Sequence, residues 1–257
     1  MSAENPQPAV QARGITQTGP WGRVYGPLDL DVPAGGLTIL RAPSGPGRTA
    51  LQMTLAGRMK PHGGTLSVFG ETSIKRIFAQ SALAAIEALD SVYASVRVVD
   101  LVTEKLRWDA PWYRLVRKAD QQHYEAVCRP VFGELPLPPL HEYVENLTEL
   151  DGILLRVALA NTQRPPLLVV GNIDQVTSDV NQRLLVQRLA ALGEQQTVIT
   201  CTVNEVDPAL DYREELPVEL LPVDALPADD DAVEIATVPD RTAVPDTTAV
   251  PDTRGGE

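Results

Sequence analysis

The sequence predicts an α/β fold built on a mainly parallel sheet, with a small antiparallel β region and a helical subdomain. Three observations predict it. The short apolar runs Leu37 to Arg41, Pro166 to Val170 and Thr197 to Cys201 read as strands buried on both faces, as parallel sheets require. Helical patterns fall between and around them at Thr49 to Gly57, Asp151 to Ala160 and Asp179 to Leu192, and alternation of the two element types argues for a parallel sheet. Finally, the stretch from 92 to about 132 sets Leu101, Leu106, Trp108, Trp112, Leu115 and Val116 near helical spacing, broken only by Pro111. It predicts a mainly helical insert.

The individual elements follow in order. Residues 1–12 are polar and Pro-bearing and predict a disordered lead. From Gly26 to Val32, Leu28, Leu30 and Val32 alternate with Asp29 and Asp31, the pattern of a half-buried strand. Gly35-Gly36 and Pro43 bound the next strand, and Gly57 stops the helix after it. Thr65 to Phe69 and Ile74 to Ala79 read as further strands. Leu184, Leu185, Leu189 and Leu192 mark one face of the last helix.

Beyond Asp207 the character changes. Glu214-Glu215, Asp229-Asp230-Asp231, seven prolines and a near repeat (TVPDR, then TAVPDT twice) predict a largely disordered acidic tail over 207–257. Cutting the chain after Glu205 should then leave thermal stability almost unchanged. The tail holds 14 acidic and 3 basic side chains, and residues 1–206 hold 20 and 19, so most of the formal charge of −12 belongs to it. A nearly neutral body predicts no nucleic-acid partner. Cys128 and Cys201 have neither disulfide-framework nor metal-ligand spacing and read as buried thiols of a reducing cytosol. The first ten residues lack a secretory pattern, and no run approaches the roughly 18 apolar residues of a membrane span. Any membrane role is expected to come through a partner.

The strongest motif is Ala42-Pro43-Ser44-Gly45-Pro46-Gly47-Arg48-Thr49, lying between a strand and a helix as a phosphate-binding P-loop does. In such a loop, backbone N–H groups and the helix N-terminus cradle an anion while a cation reaches the outer phosphates. Against G-x-x-x-x-G-K-[ST], Gly47 and Thr49 are kept. Ala42 replaces the first glycine and Arg48 the lysine, and Pro46 removes one N–H. Arg48 keeps the charge in a larger planar fork.

Residues Tyr25 to Thr65 resemble the ATPase subunits of ATP-binding cassette (ABC) transporters. They present a strand, a Pro-x-Gly-type turn (Pro33–Gly36), the loop, Leu55-Ala56-Gly57 and a Pro-x-x-Gly turn (Pro61–Gly64) in the family's order. The resemblance extends more weakly to about residue 206. It implies an ATP-binding domain over 13–206, with a helical subdomain at about 92–162. ATP would be held by Ser44, Gly45, Pro46, Gly47, Arg48, Thr49 and Ala50, with Trp21 stacked on the base and Tyr25 a second candidate. Mg²⁺ would be bound by Thr49 and Gln80, the latter in the position of the family's Q-loop glutamine.

Other family motifs are altered. The signature segment corresponds to Leu147-Thr148-Glu149-Leu150-Asp151, without its glycines and with Glu149 adding charge repulsion. The following Arg156-Val157-Ala158-Leu159-Ala160 matches the family's helix closely. After the Walker B strand Leu167–Val170, Gly171 and Asn172 stand where the family has an Asp and a catalytic Glu. Asparagine cannot take a proton at neutral pH, and Asp174 would substitute only by a shift of register. Substituting Gly171→Asp with Asn172→Glu should restore some turnover. The switch histidine is missing, since His62, His123 and His141 all precede Walker B.

The resemblance therefore implies an ATP-binding subunit with weak or absent hydrolysis. Its partners would be a membrane permease subunit and a second ABC ATPase, as homodimer or heterodimer, at the cytoplasmic face of the cell membrane. A non-enzymatic regulator or scaffold retaining the fold is the alternative. An unrelated P-loop kinase or GTPase is disfavoured by the Arg156–Ala160 helix.

Overall fold

The computed structural model describes residues 8–86, 89 and 95–220. Its elements are β1 (Val10–Gly19), β2 (Gly22–Val32), β3 (Gly36–Arg41), α1 (Pro46–Leu55), β4 (Gly63–Val68), α2 (Ile74–Ala79) and β5 (Ser81–Ala84). They continue with α3 (Val98–Asp109), α4 (Gln121–Phe132), α5 (Glu149–Ala160), β6 (Leu167–Asn172), α6 (Asp179–Gly193), β7 (Thr197–Thr202) and β8 (Glu214–Pro217).

Two sheets form. The larger has the order β5-β6-β7-β3-β8 with every neighbouring pair parallel, and the smaller is an antiparallel β2-β1-β4. Alternation along the parallel strands feeds two cores. Leu37, Ile39, Leu168 and Val170 pack with Val99, Tyr124, Leu154 and Leu189 of the helices. Leu40, Leu167, Val169 and Ile199 pack on the other face with Leu51 and Leu55 of α1 and with Val10, Ala12 and Ile15 of the antiparallel sheet. Burial on both faces explains why these strands read as continuous apolar runs.

The structure corrects four expectations. Val10 to Ala12, assigned to a disordered lead, open β1; Val10 pairs with Val32 on one side and Val68 on the other. Their short alternation of small apolar residues was outweighed by the polar, Pro-bearing start. Residues 1–7 lie outside the described residues.

Ile74 to Ala79 form a helix and not a strand. Only Ile77 is buried, while Lys75, Arg76 and Phe78 are exposed, so the apolar spacing of Ile74 and Ile77 is three rather than two.

The expected tail also begins too early. Glu214 to Pro217 form β8 against β3, with Thr38 opposite Glu214 and Arg41 opposite Pro217, and Val218 and Leu220 are buried. Neighbouring acids obscured the period-two spacing of Leu216, Val218 and Leu220. Residues 221–257 lie outside the described residues.

Finally, among the described residues of the insert at 95–132, the helices are α3 and α4. Trp108, Trp112 and Leu115 are 78%, 95% and 92% exposed, so they do not belong to its core.

Candidate functional site

Parallel strands bring their C-terminal ends to one edge of the sheet, where ligands of open α/β folds bind. The loop Ala42–Gly45 leaves β3 at that edge and turns into α1. Gly45 has φ 140°, a conformation a side chain would disfavour, and Pro46 occupies the first helical position, where a missing N–H is harmless. Gly47 is packed closely, since a Cβ there would stand 2.9 Å from the Val24 carbonyl oxygen. Among the residues predicted to hold nucleotide, Ser44 and Pro46 are exposed, Gly45 and Thr49 half-buried, and Gly47, Arg48 and Ala50 buried. The first-turn N–H groups of α1 supply the anion-binding capacity expected of this loop.

Arg48 is not free. Its guanidinium pairs with Asp174 at 3.1 Å and bends back to the Ala42 carbonyl oxygen at 3.4 Å, and its side chain is 8% exposed. The Asp174 carboxylate also accepts from the Thr202 hydroxyl at 2.9 Å and the Val203 N–H at 2.9 Å. Three donors therefore satisfy Asp174, and it joins the loop to the end of β7. Sequence reading weighed Asp174 as a substitute for a missing acid; the structure gives it a different set of partners. The available signal was an isolated acid three residues past a Walker B position that lacks one.

The positions expected to carry the acids are occupied otherwise. A Cβ on Gly171 would overlap the Ala85 carbonyl oxygen and lie 2.6 Å from Gln175 Nε2, and Gln175 donates to that same oxygen at 2.8 Å. The Thr200 hydroxyl and the Gln52 amide tie down the neighbouring carbonyls of Gly171 and Val170. There is no room for an aspartate at 171, which overturns the expectation that Gly171→Asp restores turnover. Asn172 lies beside the loop, and its buried Oδ1 has no hydrogen-bond partner among the described residues.

Gln80 is misplaced for metal binding. It caps α2 and precedes β5, and its amide donates to the Val68 carbonyl at 3.0 Å. Because β5 runs parallel to its neighbours, Gln80 stands at the opposite edge of the sheet, roughly 16 Å from the Ala85 end. Since 74–79 is a helix and the strand begins only at Ser81, Gln80 precedes a strand and does not follow one. Trp21 sits 82% exposed at the β1–β2 turn and does not line the cavity beside the loop. Tyr25 is fully buried with its hydroxyl on Thr54 and is a core residue.

The signature segment forms the start of α5. Thr148 caps the helix by accepting the Asp151 N–H, and Glu149 accepts both the N–H and the hydroxyl of Thr177 at 2.8 and 3.0 Å. Its charge is thus held within the chain. A cavity of about 590 Å³ lies between this helix start and the loop, lined by Arg48, Glu149, Arg156, Asn172 and Asp174 among others. No histidine lines this cavity: His62 accepts from the Thr18 N–H, His123 pairs with Asp120, and His141 is exposed.

The fit to the expected ligands differs between phosphate and metal. The α1 N-terminus suits phosphate oxygens. A magnesium ion finds Thr49 in place, but Gln80 is at the far edge, 171 has no side chain and Asp174 is already committed, so the expected metal set is not assembled.

No family model matches the sequence. A stretch of 74 residues is 30% identical to the probable ribonucleotide transport ATP-binding protein mkl of Mycobacterium leprae, covering 27% of this chain and 21% of that protein. The chain thus spans about a fifth of the curated relative it matches. Among solved structures, cbiO1 of Clostridium perfringens, part of the ABC transporter complex cbiONQ, has TM-score 0.64 at 11% identity, covering 84% of this chain and 87% of its own. A dimeric bacterial ABC transporter cassette has TM-score 0.60 at 13% identity over 76% and 88% of the two chains. A post-hydrolysis cassette dimer bound to ADP and Pi has TM-score 0.59 at 13% identity over the same shares. With its parallel sheet, antiparallel flank, phosphate-loop turn and helical insert in this order, the chain has the fold of ABC transporter ATPase domains.

Proposed function

We propose that the chain is the ATP-binding subunit of an ABC transporter or a related membrane complex, holding nucleotide at a composite dimer site with weak or no hydrolysis of its own. The observation that carries this reading is the loop itself. A glycine-bearing turn opens α1 at the C-terminal edge of β3, while the end of β6 at 171–172, two strands along the same edge, carries no carboxylate. Binding draws on the helix dipole and the α1 N–H groups that remain after Pro46 removes one. Water activation needs a base, and the two carboxylates that line the cavity beside the loop are consumed: Asp174 by Arg48, Thr202 and Val203, and Glu149 by Thr177. Loss of a general base alone lowers rate by about 10²–10⁴.

The similarity to dimeric cassettes and to a component of a transporter complex supports a second ABC ATPase, identical or not, and a membrane permease as partners. The place of action would be the cytoplasmic face of the cell membrane. Among the described residues, no helix is long and apolar enough to cross a membrane.

Calorimetric titration with ATP, with and without Mg²⁺, tests the binding half, and phosphate release tests the catalytic half. Binding that changes little when Mg²⁺ is removed, with phosphate release at background, is the expected result. Absence of binding at millimolar ATP would overturn the proposal, and turnover typical of the family by this chain alone would overturn its catalytic half.

A further inference from the structure

The segment joining α3 to α4 is unlike the rest of the surface. Trp108, Trp112, Tyr113 and Leu115 are 78%, 95%, 75% and 92% exposed within eight residues. The Trp112 and Tyr113 rings pack edge to face on each other, 5.9 Å apart, and the Trp108 indole N–H reaches only Glu104 of its own helix, at 3.4 Å. A cluster of this size left in water marks a contact surface. The sequence set Trp108, Trp112 and Leu115 near helical spacing, and the structure leaves all three exposed.

Charge identifies the contact. Residues 105–118 hold five basic and one acidic side chain, in a chain whose formal charge is −12. Asp109 takes Lys105, and Asp100 outside the segment takes Lys118. Arg107, Arg114 and Arg117 have no ion-pair partner among the described residues. Arg114 and Arg117 flank Leu115 at a cavity of about 460 Å³, which Asp109 also lines.

We propose that residues 107–117 form a docking surface for an anionic lipid bilayer. Tryptophan and tyrosine rings favour the membrane–water interface, where the apolar body is buried and the polar edge stays wet. Unpaired arginines beside them meet lipid phosphates, and each basic residue close to an anionic surface adds roughly fivefold to binding. Exposed aromatics alone would suit a protein partner equally well. The three arginines without ion pairs that are interleaved with them favour lipid, because they concentrate positive charge beside the exposed rings in a segment with a single acidic residue. This contact stands apart from the proposed nucleotide function, which places the chain at the membrane only through a protein partner.

The test is co-sedimentation of the full chain with vesicles of phosphatidylcholine alone or containing phosphatidylserine at about one third. The chain should pellet with the anionic vesicles, remain in solution with the neutral ones, and be released at high salt. Arg114→Gln with Arg117→Gln should weaken binding roughly 30-fold. Trp112→Ser with Tyr113→Ser should weaken it at least as much, without loss of the native circular dichroism, because these side chains are exposed. A wild-type chain that stays in solution with anionic vesicles overturns the proposal. So does vesicle binding that either double variant retains at the wild-type level.

Discussion

Gly171→Ala should destabilise the fold although the position lies in an ordinary strand. The added methyl would overlap the Ala85 carbonyl oxygen, and the Gln175 amide donating to that oxygen would stand 2.6 Å from it. The methyl would therefore enter an existing hydrogen bond, and the atom it meets most closely belongs to the Ala85 backbone and not to a flexible side-chain end. Overpacking of this kind costs about 1–3 kcal/mol, and the disturbed bond adds about 1 kcal/mol. The expected loss is about 2–4 kcal/mol, or roughly 5–15 °C in melting temperature for a domain of this size. Urea unfolding followed by circular dichroism measures it. Gly171→Asp with Asn172→Glu should lose more, through an added buried carboxylate, and should gain no phosphate release. Wild-type stability in both variants would refute the reasoning and show that Ala85 and Gln175 yield space readily.

Three further outcomes are expected. Asp174→Asn should lower thermal stability yet tighten ATP binding by calorimetry, because it weakens the pair with Arg48 and removes a negative charge beside the phosphate loop; weaker binding would count against that role of Asp174. Removing everything after Glu205 should depress the melting temperature by more than a few degrees, since β8, Val218 and Leu220 are lost from the β3 edge. Burial pushes the Cys128 and Cys201 thiols up to about 12 from an ordinary 9. Both should resist a disulfide reagent in the native protein at pH 8 and react once it is unfolded. Because their folded values are raised, their contribution to stability is complete below pH 9 and is lost as pH rises from 9 towards 12.

Much of the architecture was already determined by the sequence. Leu37–Arg41, Leu167–Val170 and Thr197–Cys201 are buried on both faces, so their apolar runs survive without a partner in view, and Gly45, Gly47 and Arg48 between strand and helix mark the loop by type and spacing. Signals failed where a short pattern competed with polar neighbours, at Val10–Ala12, at Ile74–Ala79 and at Leu216–Leu220. What only the tertiary structure decided is which groups meet. Arg48 and Asp174 are 126 residues apart and Glu149 and Thr177 are 28 apart. Sequence reading could judge each charge only by its own motif, as a phosphate ligand, a misplaced acid or a source of repulsion. Gly171 read as a missing aspartate, but it is the contact with Ala85 and Gln175 across the sheet edge that leaves no space for one. Local propensity acts on neighbours along the chain, whereas pairing and exclusion act through space, and the parallel sheet brings those distant residues to one edge.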